Sequence, residues 1–189
     1  IYGVKGKFGE TDFAEWEKAI DINLLGTART IHAALPGMKS RGDGRVILFS
    51  GGGQGPFPRF SAYATSKGGI WRLTDTLGAE LAEEGIYLNA IAPGAVNTKL
   101  LEEVLAAGPE KVGQDFYEKS LKQRDSGGAA PEKTARLVSY LLSERSKGLY
   151  GKTLSALWDE YDKFEDLPTI SRSDLYAMRR VVDLKGGTK

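Results

Sequence analysis

Tyr63 and Lys67 frame the stretch Tyr63-Ala64-Thr65-Ser66-Lys67, the only Tyr-x-x-x-Lys spacing among eight tyrosines. On a helix, positions i and i+4 share a face. A nearby ammonium favours phenolate over phenol and lowers a tyrosine pKa from its usual ~10. A tyrosine tuned this way trades protons near neutral pH. Lys67 is therefore expected to make the Tyr63 phenol more acidic. Alone, the pair is also what an ordinary amphipathic helix displays, so its surroundings decide.

Three other polar positions accompany it. Ser50 closes the apolar run Arg45-Val46-Ile47-Leu48-Phe49. Asn23 lies upstream in Asp21-Ile22-Asn23-Leu24-Leu25-Gly26. Downstream, Asn89-Ala90-Ile91-Ala92 runs into Pro93-Gly94-Ala95-Val96-Asn97-Thr98. Read as local structure alone, Asn23 is a helix-interior amide and Ser50 a residue of a strand-end turn. The loop Gly51-Gly52-Gly53-Gln54-Gly55 leads into Pro56-Phe57-Pro58 rather than a helix opening, so it does not meet the dinucleotide-binding fingerprint. Gln54 and Phe57 are candidate substrate contacts beside Ser50.

Composition removes several chemistries. The 189 residues contain no cysteine, which excludes disulfides, thiolate catalysis and Cys-ligated zinc. His32 is the single histidine, so no metal site built on several histidines can form. No metal is expected. Gly-x-Ser-x-Gly is absent around Ser50, which argues against an esterase. Lys plus Arg is 26 against 25 for Asp plus Glu, a net charge of +1, so no nucleic-acid partner is expected. No apolar run approaches the ~18 residues of a membrane span, and no basic-then-apolar leader opens the chain. The sequence reads as cytoplasmic, with no membrane partner.

The elements that must hold these residues follow from patterning. Phe13, Trp16, Ile20, Leu24, Ile31 and Leu35 recur at helical spacing from Asp12, which with Glu15 can form a capping box, to about Met38. Arg45–Phe49 and Ile86–Ile91 are continuous apolar runs, as in parallel strands buried on both faces. A long helix is expected from Ser61 to about Glu84, closed by Gly85. Leu100 to Leu121 is helical in pattern but broken at Gly108-Pro109 and Gly113. Leu100, Leu101, Val104 and Leu105 serve there as core or as a substrate lid. Pro131 opens a further helix ending near Ser143, and Lys152–Leu157 reads as a third strand. Ser173–Val182 has the pattern of a short amphipathic helix, with Leu175, Met178 and Val182 on one face. Such alternation predicts an α/β fold, a Rossmann-type parallel sheet flanked by helices. Active sites of such folds lie beyond the C-terminal strand ends, where Ser50 and Pro93-Gly94 fall.

Asn-x-x-Gly in a helix, Ser after an apolar strand, Tyr-x-x-x-Lys, and Pro-Gly followed by Thr together resemble the short-chain dehydrogenase/reductase family, from about Phe8 to Leu154. The resemblance implies catalytic roles for Asn23, Ser50, Tyr63 and Lys67. Tyr63 matches the acid/base, Ser50 the donor to the substrate oxygen, Lys67 the residue that tunes the tyrosine and holds the nicotinamide ribose, and Asn23 the anchor of a relay water. Tyr63, Lys67, Pro93, Gly94, Val96 and Thr98 match cofactor-binding positions, with Ser50, Gln54 and Phe57 facing substrate. The implied function is NAD(P)-dependent hydride transfer, with NAD or NADP as cofactor and a small-molecule carbonyl/alcohol as substrate.

The resemblance also implies an N-terminally truncated fold. Family members begin with βαβ units of ~30 residues each that carry the Gly-rich turn. Residues 1–157 then form the catalytic part of the domain and 158–189 a C-terminal extension with a short helix. The first strand is left with an open edge, and the family's interface helices contain Asn23 and Tyr63. A homo-oligomer, dimer or tetramer, is expected. The alternative is an inactive fragment acting as a scaffold or oligomerisation module.

Overall fold

The structure, a computed structural model, describes residues 1–51 and 54–179. Asp12 caps the first helix, its Oδ1 accepting from the N–H groups of Ala14 (2.8 Å) and Glu15 (3.3 Å). Helix α1 spans Phe13–Ile20, and α2 spans Gly26–Arg41. Between them, Asp21–Leu25 widens into a π-helical turn with no break in the helical path. Such insertions often mark functional positions, and this one contains Asn23. Phe13 departs from the expected buried face. It is exposed and stacks on Trp16, with ring centroids 5.5 Å apart.

Strand β1 (Gly44–Phe49) leads through a loop to α3 (Ser61–Ala82), followed by β2 (Ile86–Ala92). Beyond β2 come α4 (Lys99–Val112), α5 (Gln114–Ser126) and α6 (Pro131–Leu142), then β3 (Thr153–Ser155) and α7 (Leu167–Arg172). The break anticipated at Gly108 is present as a kink, its φ of 74° leaving the helical region. The three strands are parallel in the order β1-β2-β3, with Phe49 opposite Ile91 and Ile91 opposite Leu154.

Both faces of the sheet are covered. Leu48, Leu88 and Ala90 pack with Ile31 of α2 and Ile70 and Leu81 of α3. Ile91 and Leu154 pack on the opposite side with Leu137 and Leu141 of α6 and Leu167 of α7. This is the burial that makes the strand sequences read as unbroken apolar runs. Asn89 is the polar exception. Its amide donates to the Leu149 carbonyl (2.8 Å), and its carbonyl accepts from the Lys152 N–H (3.1 Å), so the buried side chain is satisfied. These bonds hold the turn that delivers β3.

The short helix expected at Ser173–Val182 is not found at the described residues of that range; the helix that follows β3 lies earlier in the chain. Leu167–Arg172 is helical, whereas Ser173–Arg179 forms bends and a turn. Tyr176 has φ of 55°, and its carbonyl accepts from the Thr153 N–H at 2.9 Å. The bond to the sheet replaces local helical pairing. Val182 lies outside the described residues.

Candidate active site

Ser50 continues β1 by one residue, its N–H donating to the Ile91 carbonyl at 2.9 Å. That bond points its side chain to the same face as Leu48 and buries it to 3% exposure. The Ser50 hydroxyl has no hydrogen-bond partner among the described residues. Buried polar groups are ordinarily paired, and an unpaired one carries a desolvation cost.

Tyr63 sits in the first turn of α3, where the helix begins at the C-terminal end of the sheet. Ser50 and Tyr63 open onto one cavity of 460 Å³. Gln54 and Phe57 of the intervening loop line it, as do Pro93, Gly94, Val96 and Thr98 beyond β2. Val96 is fixed by a bridge to Gly128 and by its N–H bond to the Gly94 carbonyl (3.1 Å). Leu101 and Val104 of α4 are at once buried and part of the wall, so they are core and lining together.

Asn23 and Lys67 lie elsewhere, on a second groove between α2 and the open side of β1. The Asn23 amide donates to Ser66 Oγ (3.0 Å) and to the Ile1 carbonyl (2.7 Å). Ser66 in turn donates to the Tyr63 carbonyl at 2.8 Å. A chain of hydrogen bonds thus couples the π-helical turn to the backbone of Tyr63. Lys67 Nζ donates to the Phe49 carbonyl at 2.7 Å and stands 5.8 Å from the centroid of the Tyr63 ring.

The electrostatics correct the sequence reading at Tyr63. Burial pushes its phenol up to about 12, and the neighbouring Tyr2 phenol adds to the rise. The Tyr2 ring packs edge-on against Tyr63, with centroids 4.6 Å apart. Burial also lowers the Lys67 ammonium pKa. The cation is directed at a backbone carbonyl, and desolvation of the phenolate decides the direction of the Tyr63 shift.

Sequence reasoning overlooked Tyr2, Ser66, Gln123 and Trp158. Ser66 had a usable signal, since it lies inside the Tyr-x-x-x-Lys stretch. Tyr2 and Trp158 had none, because only the tertiary fold brings these two distant positions to this cavity. His32 is exposed, as a residue with no role here would be. Among the described residues, no cluster of His, Asp and Glu could hold a metal ion.

Residues 2–156 match the family model described as Enoyl-(Acyl carrier protein) reductase. The mouse Dehydrogenase/reductase SDR family member 4 is 35% identical over 140 residues, which is 74% of this chain and 48% of that protein. The chain belongs to the short-chain dehydrogenase/reductase family. Glucose 1-dehydrogenase 2 of Bacillus subtilis (strain 168) is 34% identical over 155 residues, covering 80% of this chain and 57% of that protein. Among solved structures, NAD+-bound xylitol dehydrogenase superposes with a TM-score of 0.71 at 25% identity, covering 82% of this chain and 64% of that one. A single-substitution variant of actinorhodin polyketide ketoreductase with NADPH gives a TM-score of 0.70 at 27% identity, covering 81% and 61%. The chain spans about half the length of the family relatives it matches first. No helix among the described residues is long and apolar enough to cross a membrane.

Proposed function

We propose that the protein is an NAD(P)-dependent oxidoreductase that interconverts a carbonyl compound and its alcohol, with Tyr63 as acid/base. The observation that carries this reading is the pairing, on one cavity, of a buried hydroxyl without a partner and a phenol that keeps its proton. A carbonyl oxygen accepting from Ser50 Oγ would relieve the unpaired group and find preorganised support for its developing charge. The Tyr63 phenol carries its proton at neutral pH, as an ordinary tyrosine does. In the reducing direction Tyr63 would hand its proton to the substrate oxygen, and in the oxidising direction it would take one back.

The residues also fit the nicotinamide end of a cofactor. Pro93, Gly94, Val96 and Thr98 form a fixed wall of the same cavity, and Lys67 supplies a cation one turn from Tyr63. The cofactor supplies the hydride when bound. Two structural neighbours hold NAD+ and NADPH respectively, which supports a nicotinamide cofactor and leaves either form open. Asn23 holds α3 in place through Ser66, a positioning role compatible with an anchor for a relay water. Homo-oligomerisation belongs to the same reading, supported by exposed Phe13, Ile22 and Leu25 on the helices before β1.

The test is titration of the whole protein with NADH and NADPH, followed by turnover of neutral ketones. Tyr63→Phe is expected to lower kcat about 10²–10⁴-fold while cofactor binding persists. Cofactor binding with equal turnover by Tyr63→Phe would refute the assignment.

A further inference from the structure

Trp158 lies just past β3, on the rim of the cavity that holds Ser50 and Tyr63. It is 82% exposed, the most exposed of the large apolar side chains among the described residues. Its backbone is nevertheless well held. Ser155 Oγ accepts from the N–H groups of Leu157 and Trp158, each at 3.3 Å. Asp159 Oδ2 accepts from the Ser155 N–H at 2.6 Å, and the Ala156 N–H donates to the Ala92 carbonyl at 3.0 Å. Leu157 packs so closely under Gly94 that a Cβ there would lie 2.3 Å from its Cδ1. The indole is thus an uncovered ring on a base locked to the sheet and to the Pro93–Thr98 segment.

The rest of the wall points to what such a ring would meet. Phe57 and Phe116 also line the cavity, their centroids 5.0 Å apart, edge to face. Among the described residues none that lines the cavity is charged; the polar groups are amides, hydroxyls and the phenols of Tyr2 and Tyr63. Gln123 already donates to the Val96 carbonyl (3.4 Å) and to Asn97 Oδ1 (3.2 Å), so it holds the wall together rather than offering a charge. An ionised carboxylate or phosphate would leave water for a site with no counter-charge, which is costly. A flat apolar ring sheds only its own hydration and gains ring-to-ring contact.

We infer that Trp158 is a specificity-determining residue and that this cavity takes an uncharged aromatic carbonyl compound or the corresponding alcohol. The inference rests on the carbonyl/alcohol chemistry proposed above and adds the substrate class. Ser50 and Tyr63 address the oxygen, while Trp158 and the Phe57–Phe116 pair take up the ring.

Three ketones separate the terms: acetophenone, cyclohexyl methyl ketone with its saturated ring, and 4-acetylbenzoate with an added carboxylate. Binding to the whole protein is followed by calorimetry and by tryptophan emission, for the natural chain, Trp158→Ala and Trp158→Phe. Acetophenone is expected to bind up to about tenfold more tightly than cyclohexyl methyl ketone. It is expected to quench emission in the natural protein but not in Trp158→Ala. The preference falls to near unity in Trp158→Ala and is partly restored in Trp158→Phe, while 4-acetylbenzoate binds more weakly than acetophenone. Equal binding of the two neutral ketones overturns the inference. So does a preference that survives Trp158→Ala, an anion bound as well as acetophenone, or no binding by any of the three. Binding needs no turnover, so the two readings fail separately. The expected binding pattern without any reduction would sink the oxidoreductase assignment and keep the aromatic site. Equal reduction of both neutral ketones by the natural protein and Trp158→Ala would do the reverse.

Discussion

The Lys67 ammonium donates to the Phe49 carbonyl across 2.7 Å, tying the second turn of α3 to the last residue of β1, immediately before Ser50. The bond fixes the spacing between the strand end that carries the hydroxyl and the helix that carries the phenol. It also directs the cation to a backbone dipole. Without a phenolate partner for the cation, desolvation governs Tyr63, and the phenol is held neutral.

This has a consequence at alkaline pH. An unfolded tyrosine ionises near pH 10, whereas folded Tyr63 keeps its proton to about 12. Below pH 10 both states are protonated and the group contributes no pH dependence. Between about 10 and 12 the folded state holds a proton that the unfolded chain has lost, so stability falls as pH rises. Tyr63→Phe should therefore show a shallower loss of urea midpoint across that window. Tyr2, Tyr140 and Tyr176 are shifted in the same direction by burial and contribute to both proteins alike. Identical slopes would mean that the Tyr63 phenol ionises normally.

Ser50→Ala separates a functional serine from a structural one. The hydroxyl is buried without a partner among the described residues, so its removal relieves a desolvation cost of about 1–3 kcal/mol. The variant is expected to melt at the same temperature or higher. On the oxyanion-stabilising role proposed for it, kcat falls about 10²–10³-fold. A variant that loses stability and activity together would make Ser50 a packing residue.

The strands were legible because burial on both faces writes an unbroken apolar run, and β1 and β2 begin and end within a residue of the expected limits. The polar set was legible because Ser50 and Tyr63 each lie at the junction of an element and a loop. Helical spacing at Leu175 and Met178 misled, because the Tyr176 carbonyl finds a better partner in the Thr153 N–H than in its own segment. The direction of the Tyr63 shift was not legible either. It depends on burial of the phenol, with a smaller contribution from Tyr2, and spacing within α3 reports neither.

Two glycines of α3 should respond oppositely to the same change. A Cβ on Gly78 would lie 2.4 Å from both Cα and N of Gly151, which are backbone atoms beside β3 with nowhere to move. Gly78→Ala should cost about 1–3 kcal/mol by overpacking. A Cβ on Gly69 would meet only the tip of Leu24, at 2.7 Å, and that side chain can swing aside. Alanine gains about 1 kcal/mol over glycine in a helix interior, so Gly69→Ala should be near neutral. Chemical denaturation of both variants checks the ranking, and equal losses would contradict the packing of α3 against the turn before β3.

The two edges of the sheet are finished differently, and that asymmetry predicts how the 189-residue chain behaves by itself. At β3, the Tyr176 carbonyl takes the outward Thr153 N–H. At β1, no strand among the described residues pairs with the outer side, and a groove of 700 Å³ runs between the strand and α2. Phe49 and Ile22, both on its wall, are 48% and 47% exposed. An open apolar edge of this kind recruits another chain. Sedimentation of the chain alone should therefore show concentration-dependent association. Phe49→Lys should shift it toward monomer, because a charge on the edge blunts pairing while the residue 49 carbonyl that holds Lys67 remains. A monodisperse monomer for the unsubstituted chain would mean that the edge is protected in solution.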